Sequence, residues 1–394
     1  MNSNTPLVVS TGGLRLGGST TFLLNLGKAF HERGLTLPIV CLTEEHEMAD
    51  DFSKAGVKVH LATDRKLIYE DRLQLVYAAV AAQQPNGVLA CLGGDSFEIL
   101  RTVPAGVARV GIIQSDDPGP YKLVRQFAPW LDAIVGVSET ICGRLRQESF
   151  GREIRIEYIP YGIPFGPAQV RSLRDITQPL KIIYVGRMIE HQKRVSRLLE
   201  LVKALTARGE KFEFTFVGSG PELLPAKENL KHLLNVRFLG DVPNAYVSGL
   251  LRSMDIFVLL SDFEGLPLSL LEAMGEGVVP IVSDLESGMR ELVTAETGIR
   301  VPVGDISAAA NAITGLARDS ARQAGISAAA SDYVRRSFSA AIMGERHLKL
   351  ITALSKGDPI WPAKVNIPIP LSLENHWTST AWARPIRRLL RRFV

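Results

Sequence analysis

Two glutamates eight residues apart, Glu264 and Glu272, lie in DIFVLLSDFEGLPLSLLEAMGEGVVPIVSD (255–284). Ile256–Leu260 and Val278–Val282 are apolar runs of strand length, and Leu268–Met274 reads as a short apolar helix between them. Pro267 fits the first helical turn, where its missing N–H costs nothing. Glu264 then falls in the loop at the carboxyl end of a strand, and Glu272 on the second turn of the helix. The free amides around Gly265–Leu268, those of Gly265, Leu266 and Leu268 beside Pro267, face outward from the positive helix end and suit an anion. An anion flanked by two carboxylates suits a ligand with phosphate in the middle and hydroxyl-bearing sugars at its ends. Each glutamate alone reads as readily as a solvated acid. The strand-end position favours the ligand, because open α/β sheets bind there.

Further candidates occupy strand-to-helix turns. In IIYVGRMIEHQKRVSRLLELVKAL, Gly186 permits a tight turn, and Arg187 and Lys193 flank the loop before a helix, with Arg194 a second candidate beside Lys193. Two cations at a strand end can neutralise a diphosphate, although each alone also reads as a solvated surface charge. FTFVGSGPE places Gly218 after another strand. GGLRLGGSTTFLLNLGKAF sets Gly17 and Gly18 before a helix, with Gly12 and Gly13 the rival pair. No acid follows at the ribose-holding distance, which disfavours a dinucleotide site. In GIIQSDDPGPY, Gln114 can hydrogen-bond a hydroxyl but cannot titrate. Behind it, Asp116 or Asp117 reads either as an acceptor contact or as a loop cap. The seven histidines form no H-x-H or H-E-x-x-H pattern, so no metal site and no cofactor is expected.

These turns need strands and helices in alternation, and the chain supplies them. Strands are expected at Leu7–Ser10, Leu37–Leu42, Val57–Leu61, Gly87–Cys91, Val110–Ile113, Ala133–Val137 and Ile156–Ile159, with helices at Thr20–Arg33, about Tyr69–Gln83 and Glu139–Glu148. IPYGIPFGPAQVRSLRDITQP lacks periodicity and marks a connection between domains. A second series follows: Lys181–Val185, helix Val195–Arg208, Glu213–Val217, Val236–Leu239, the 255–284 unit, a strand near Ile299–Val301 and helices from Ile306. The fold class is α/β, with two doubly wound Rossmann-like domains expected at 1–172 and 178–350.

At 394 residues the chain is long enough for two domains, and 46% hydrophobic with 22% charged residues describes a globular protein. The net charge of +4 does not point to nucleic acid, and the basic excess is local. The three cysteines, Cys41, Cys91 and Cys142, each lie in or beside an apolar run and read as buried thiols in a reducing compartment. No run reaches the roughly 18 apolar residues of a membrane span, and MNSNTPLVVSTGG lacks the features of a signal peptide. A cytoplasmic location is expected. Residues 351–394 change character: a proline-rich strap with Trp361, Trp377 and Trp382 precedes ARPIRRLLRRFV. There Ile386, Leu389, Leu390 and Phe393 share one helical face among Arg384, Arg387, Arg388, Arg391 and Arg392. This tail reads as a peripheral contact with an anionic membrane at the inner face, as a segment packed on the first domain, or as disordered.

FEGLPLSLLEAMGEGVVPIVSD resembles the E-x7-E signature of family four of the glycosyltransferases, retaining enzymes of the GT-B fold, in which two Rossmann-like domains face a central cleft. The resemblance extends over nearly all of residues 5–350 and is strongest at 180–300. It implies a nucleotide-diphosphate-sugar donor, which is a substrate rather than a cofactor, and a glycan or lipid-linked acceptor in surface polysaccharide or glycolipid assembly. In the family the G-R…K pair, here Gly186, Arg187 and Lys193, holds the donor diphosphate without a metal, while Glu264 would hold sugar hydroxyls and Glu272 the ribose. Gly17 and Gly18 match the glycine loop that faces the donor, and Gly218 lies in the family's V-G-x-G-P segment. Departures are Gln114, where many relatives carry a histidine, and Tyr161 in place of an asparagine in EYIPYGI. A phosphorylase, a nucleotide-sugar epimerase and a non-catalytic nucleotide-sugar-binding protein are the alternatives.

Overall fold

The computed structural model describes residues 5–43, 47–62, 69–91, 93–168, 171, 173–357 and 359–367. The chain divides into two compact units, one of residues 1–137, 141–162 and 340–394 and one of residues 138–140 and 163–339.

In the first unit, seven strands form one parallel sheet: β1 (Leu7–Thr11), β2 (Ile39–Cys41), β3 (Val59–Leu61), β4 (Gly87–Cys91), β5 (Ala108–Ile113), β6 (Ala133–Gly136) and β7 (Arg155–Tyr158). Their order is β3-β2-β1-β4-β5-β6-β7. The central strands β1 and β4 are buried at every position and pair in register from Leu7 with Gly87 to Thr11 with Cys91. That burial on both faces is why Leu7–Val9 and Gly87–Cys91 read as continuous apolar runs rather than alternating ones, with the small Ser10 and Thr11 buried at the end of β1. Phe22 of the Gly18–His31 helix sits against Tyr161 with ring centroids 5.1 Å apart.

The second unit repeats the plan with β8 (Leu180–Val185), β9 (Phe212–Val217), β10 (Val236–Gly240), β11 (Ile256–Leu259), β12 (Val279–Ser283) and β13 (Ile299–Val301). The order is β10-β9-β8-β11-β12-β13, all parallel. Phe214, Phe216 and Phe238 stack in series at 4.5 and 4.6 Å, filling the space over β9 and β10. In both units the order reverses beside the first strand, between β1 and β4 and between β8 and β11. The loops that leave the two neighbouring strands turn to opposite faces of the sheet there, which opens a crevice for ligands at the strands' carboxyl ends.

The domain boundaries differ from the sequence reading. The helix Ala340–Leu354, expected in the second domain up to residue 350, belongs to the first unit. Its buried face of Met343, Gly344, His347, Leu350 and Ile351 packs on the Gly18–His31 helix, where a Cβ at Gly344 would stand 2.9 Å from that of Ala29. Close helix contact requires glycine there, and this packing draws the chain back at 339/340. The described part of the strap also lies on the first unit. Trp361 is buried, its indole N–H donates to the Pro85 carbonyl at 3.2 Å, and the Tyr77 hydroxyl donates to the Pro362 carbonyl at 2.6 Å. Trp377, Trp382 and the basic segment 384–394 lie outside the described residues. Among the described residues no helix is long and apolar enough to cross a membrane.

His347 is 2% exposed, and burial pulls its imidazole down from 6.5 to about 4. Its folded pKa is depressed, so the stability it contributes is present above pH 6.5 and is lost as pH falls towards 4. The full loss is on the order of 3 kcal/mol. Urea melts at pH 7 and pH 4.5 should show a pH-dependent loss in the wild type that shrinks by about that amount in His347→Phe.

Candidate functional site

The two strongest sequence segments meet where the order of the second sheet reverses. β8 leads into Gly186 and Arg187, and its neighbour β11 leads into the loop that holds Glu264. There Lys193 Nζ donates to Glu264 Oε1 at 2.6 Å, with the two residues 9% and 5% exposed. Lys193 is therefore no solvated surface cation, as its type alone would suggest, but half of a buried ion pair. Such a pair persists only when its remaining hydrogen-bonding groups are also satisfied.

Gln192 supplies much of that satisfaction. Its backbone carbonyl accepts from the Asp262 amide at 2.9 Å, and its Nε2 donates to the Phe263 carbonyl at 3.1 Å and reaches Glu264 Oε2 at 3.4 Å. Its Oε1 accepts from Arg187 Nη2 at 2.9 Å. One amide thus joins the exposed Arg187 to the glutamate loop. Arg194 is turned away: its backbone is left-handed, with φ 50°, and its guanidinium pairs with Asp262. Arg197 joins the same aspartate at 2.6 Å and donates to the Leu260 carbonyl at 2.9 Å. Of the two candidate cations, Lys193 is the one beside Glu264. Sequence reasoning missed Gln192 and Asp262, because their roles follow from how the short turn Glu190–Lys193 lies against the loop after β11.

The glycines have steric reasons. A Cβ at Gly186 would stand 2.8 Å from the Tyr184 hydroxyl, which donates to the Arg187 carbonyl at 2.7 Å. A Cβ at Gly218 would stand 2.0 Å from the Gly186 carbonyl oxygen, and one at Gly220 2.3 Å from that of Met188. The two loops run backbone to backbone, with the Gly186 amide on the Val217 carbonyl at 3.0 Å and the Met188 amide on that of Ser219 at 2.7 Å. Gly218, picked out as a ligand-facing turn, is thus also required to let Gly186 and Arg187 sit where they do.

Pro267 stands one residue outside the Leu268–Gly275 helix, as its N-cap, and not in the first turn. Its carbonyl accepts from the Leu270 and Leu271 amides, and no side chain caps the helix. The first-turn amides at Leu268 and Ser269 therefore have no intrahelical acceptor and carry the positive end of the helix. Gly265 is backed by the Gly288 amide, which donates to its carbonyl at 2.9 Å. Glu272, partly exposed, makes no ion pair or side-chain hydrogen bond among the described residues, and desolvation pushes its carboxyl from 4.5 up to about 7. The two glutamates of one motif thus have opposite settings: Glu264 is compensated and Glu272 is not.

In the first unit, the Gly12 carbonyl accepts from the Thr43 amide at 2.8 Å and so ties β1 to the end of β2. Gly17 and Gly18 instead open the Gly18–His31 helix, which no side chain caps, and nothing lies within 4 Å of a Cβ built at Gly17. Gln114 follows β5. Its Oε1 accepts from the Cys91 thiol at 3.4 Å, and its side-chain amide lies with Ser19 beside the Tyr161 hydroxyl. Asp116 does not stand open to an acceptor. Its side chain is 5% exposed and accepts from the Tyr121 hydroxyl at 2.6 Å and from Arg144 at 2.7 Å. Asp117 is the cap, accepting from the Gly119 amide at 3.0 Å at the start of Pro118–Phe127, a helix the sequence reading does not include. Aspartate followed by proline was its available signal. All three cysteines are free and buried.

Residues 179–319 match the family model described as Glycosyl transferases group 1. WcaL of Escherichia coli K12, assigned to colanic acid biosynthesis as a glycosyltransferase, is 29% identical over 238 residues covering 57% of each chain. Phosphatidyl-myo-inositol mannosyltransferase of Mycolicibacterium smegmatis is 29% identical over 208 residues, covering 50% of this chain and 54% of its own. The chain spans about half the length of the curated relatives it matches. TarM of S. aureus, solved with UDP, α-GlcNAc-glycerol and fondaparinux, superposes with a TM-score of 0.72 over 88% of this chain and 100% of its own at 13% identity. That likeness shows the fold, the GT-B class with two Rossmann-like units in one chain.

Gly218→Ala should destabilise the second unit by about 2–4 kcal/mol, because the new methyl meets a carbonyl oxygen in a left-handed backbone. Thermal melting of the variant tests this, and Gly249→Ala, on an open helix face, should melt close to wild type.

Proposed function

We propose that this chain is a retaining glycosyltransferase that moves a sugar from a nucleotide-diphosphate-sugar donor to an acceptor hydroxyl. One observation carries the reading: Arg187, Lys193, Glu264 and the uncapped end of the Leu268–Gly275 helix converge where the second sheet reverses. A site with two cations and free amides at one point and carboxylates on both sides fits a sugar–diphosphate–ribose ligand. The matched family model over 179–319 includes all of these residues.

In the proposed reaction, the bond between the anomeric carbon and the diphosphate oxygen breaks, and its electron pair leaves with the nucleotide. The acceptor oxygen bonds to the same face of that carbon, and its proton passes to the departing phosphate oxygen. Arg187, Lys193 and the amides at Gly265, Leu266 and Leu268 stabilise the charge that develops on the leaving group. Fixed donors of this kind are worth about 10²–10³ in rate each. Glu264 holds hydroxyls of the sugar and Glu272 those of the ribose. The cations supply the positive charge for which other transferases use a divalent ion, so EDTA should leave the rate unchanged. Gln114, in the loop after β5, offers a neutral side-chain amide for a hydroxyl on the first unit.

The relatives are named for colanic acid biosynthesis and for mannosyl transfer to phosphatidyl-myo-inositol, which supports an acceptor in surface polysaccharide or glycolipid assembly. A lipid-linked acceptor would give the basic segment 384–394 a membrane to contact. Incubation of the protein with UDP-, GDP- and ADP-sugars, with and without acceptor, tests the reading. An epimerase would convert donor alone, and a phosphorylase would require inorganic phosphate.

Arg187→Ala should lower kcat by about 10²-fold with melting unchanged, because its side chain is exposed. Lys193→Ala should lose at least as much activity and also melt earlier, since it strands Glu264 without its partner. Equal melting temperatures for the two variants would contradict the buried pair.

Glu272 makes the binding of donor pH-dependent. Ribose hydroxyls favour the ionised carboxylate, whereas the free protein holds a proton there below about 7. Affinity for a nucleotide sugar should therefore be flat above that pH and fall by up to about tenfold per unit below it. Calorimetry across pH 5.5–8.5 reads the slope, which Glu272→Gln should abolish.

A further inference from the structure

Lys193 and Glu264 neutralise one another at 2.6 Å in a place from which water is largely excluded. A phosphate reaching Lys193 therefore meets a cation whose charge is already compensated, with a carboxylate alongside that repels it. The ammonium group has three donors and can hold two anions at once, but the repulsion between those anions remains. A ligand that also brings hydroxyl groups changes the balance. Hydroxyl hydrogens can take over the glutamate oxygens, and Gln192 Nε2, 3.4 Å from Glu264 Oε2, keeps the carboxylate in place as Lys193 turns to phosphate.

We propose that Glu264 is a specificity-determining residue that competes with the diphosphate for Lys193, so that the site prefers the sugar-bearing donor to the bare nucleoside diphosphate. This rests on the reading of Lys193 as a phosphate-binding cation. Once the sugar has left, Glu264 has no hydroxyls to accept from and reclaims the lysine, which speeds release of the nucleotide product. The charge pair is then a device for turnover as well as for stability.

Calorimetry on the full chain tests this with three probe pairs: UDP and UDP-glucose, GDP and GDP-mannose, ADP and ADP-glucose. For the pair that wild type binds, Glu264→Gln should bind the bare diphosphate at least tenfold more tightly, with no parallel gain for the sugar donor and a lower kcat. The double variant Lys193→Met/Glu264→Gln should lose that gain, because no lysine is released. Glu264→Asp, which draws the carboxylate back by one methylene, should give an intermediate gain and serves if Glu264→Gln folds poorly. If Lys193→Ala weakens the diphosphate while Glu264→Gln and Glu264→Asp leave it unchanged or weaker, the competition is wrong and the phosphate site stands. If Lys193→Ala leaves the affinity unchanged, or none of the six probes binds, the phosphate site falls and the competition with it.

Discussion

An ammonium and a carboxylate 2.6 Å apart and nearly out of water constrain everything around them. Removing two charges from water costs several kcal/mol each, and their attraction offsets this only if the surroundings hold both in register. The second unit meets that demand with backbone as much as with side chains. The Asp262 amide binds the Gln192 carbonyl, the Gln192 amide group binds the Phe263 carbonyl, and Arg194 and Arg197 share Asp262. The segment 190–197 and the loop 260–264 therefore behave as one piece, and it hangs from two adjacent parallel strands.

The same economy explains the glycines. Strand-end loops of β8 and β9 touch through their backbones, and a single methyl at Gly218 would push the Gly186 carbonyl aside. Arg187 follows Gly186 directly, so the steric demand on one loop fixes where a cation on the other can stand. Glu272 shows the converse. Nothing among the described residues compensates its charge, and its carboxyl is correspondingly hard to ionise.

Much of this was legible in the sequence. Short apolar runs such as Ile256–Leu260 and Leu7–Val9 suit strands buried on both faces, and their alternation with helices pointed to two parallel sheets. Turn glycines after β8 and β9 and the eight-residue spacing of Glu264 and Glu272 placed the candidate residues on strand ends and a helix start, because these features are local. The helices Pro118–Phe127 and Asn244–Leu251 escaped the reading because they are short, 10 and 8 residues, and helices of that length are sustained by tertiary packing.

What only the tertiary structure decided is which groups face each other and how much water they keep. Lys193 and Arg194 are equivalent cations in a string of letters, yet the left-handed backbone at Arg194 sends one to Glu264 and the other to Asp262. Asp116 and Asp117 are likewise adjacent acids, one spent on Tyr121 and Arg144 and the other on a helix cap. The sequence placed Ala340–Leu350 with the helices before it, but a glycine-to-alanine contact with the Gly18–His31 helix returned it to the first unit. The Lys193–Glu264 pair, the Arg144–Asp116 pair and the return of the last helix each depend on a partner more than twenty residues away in the chain, and Arg194 on a single φ angle, and none of these is encoded in local spacing.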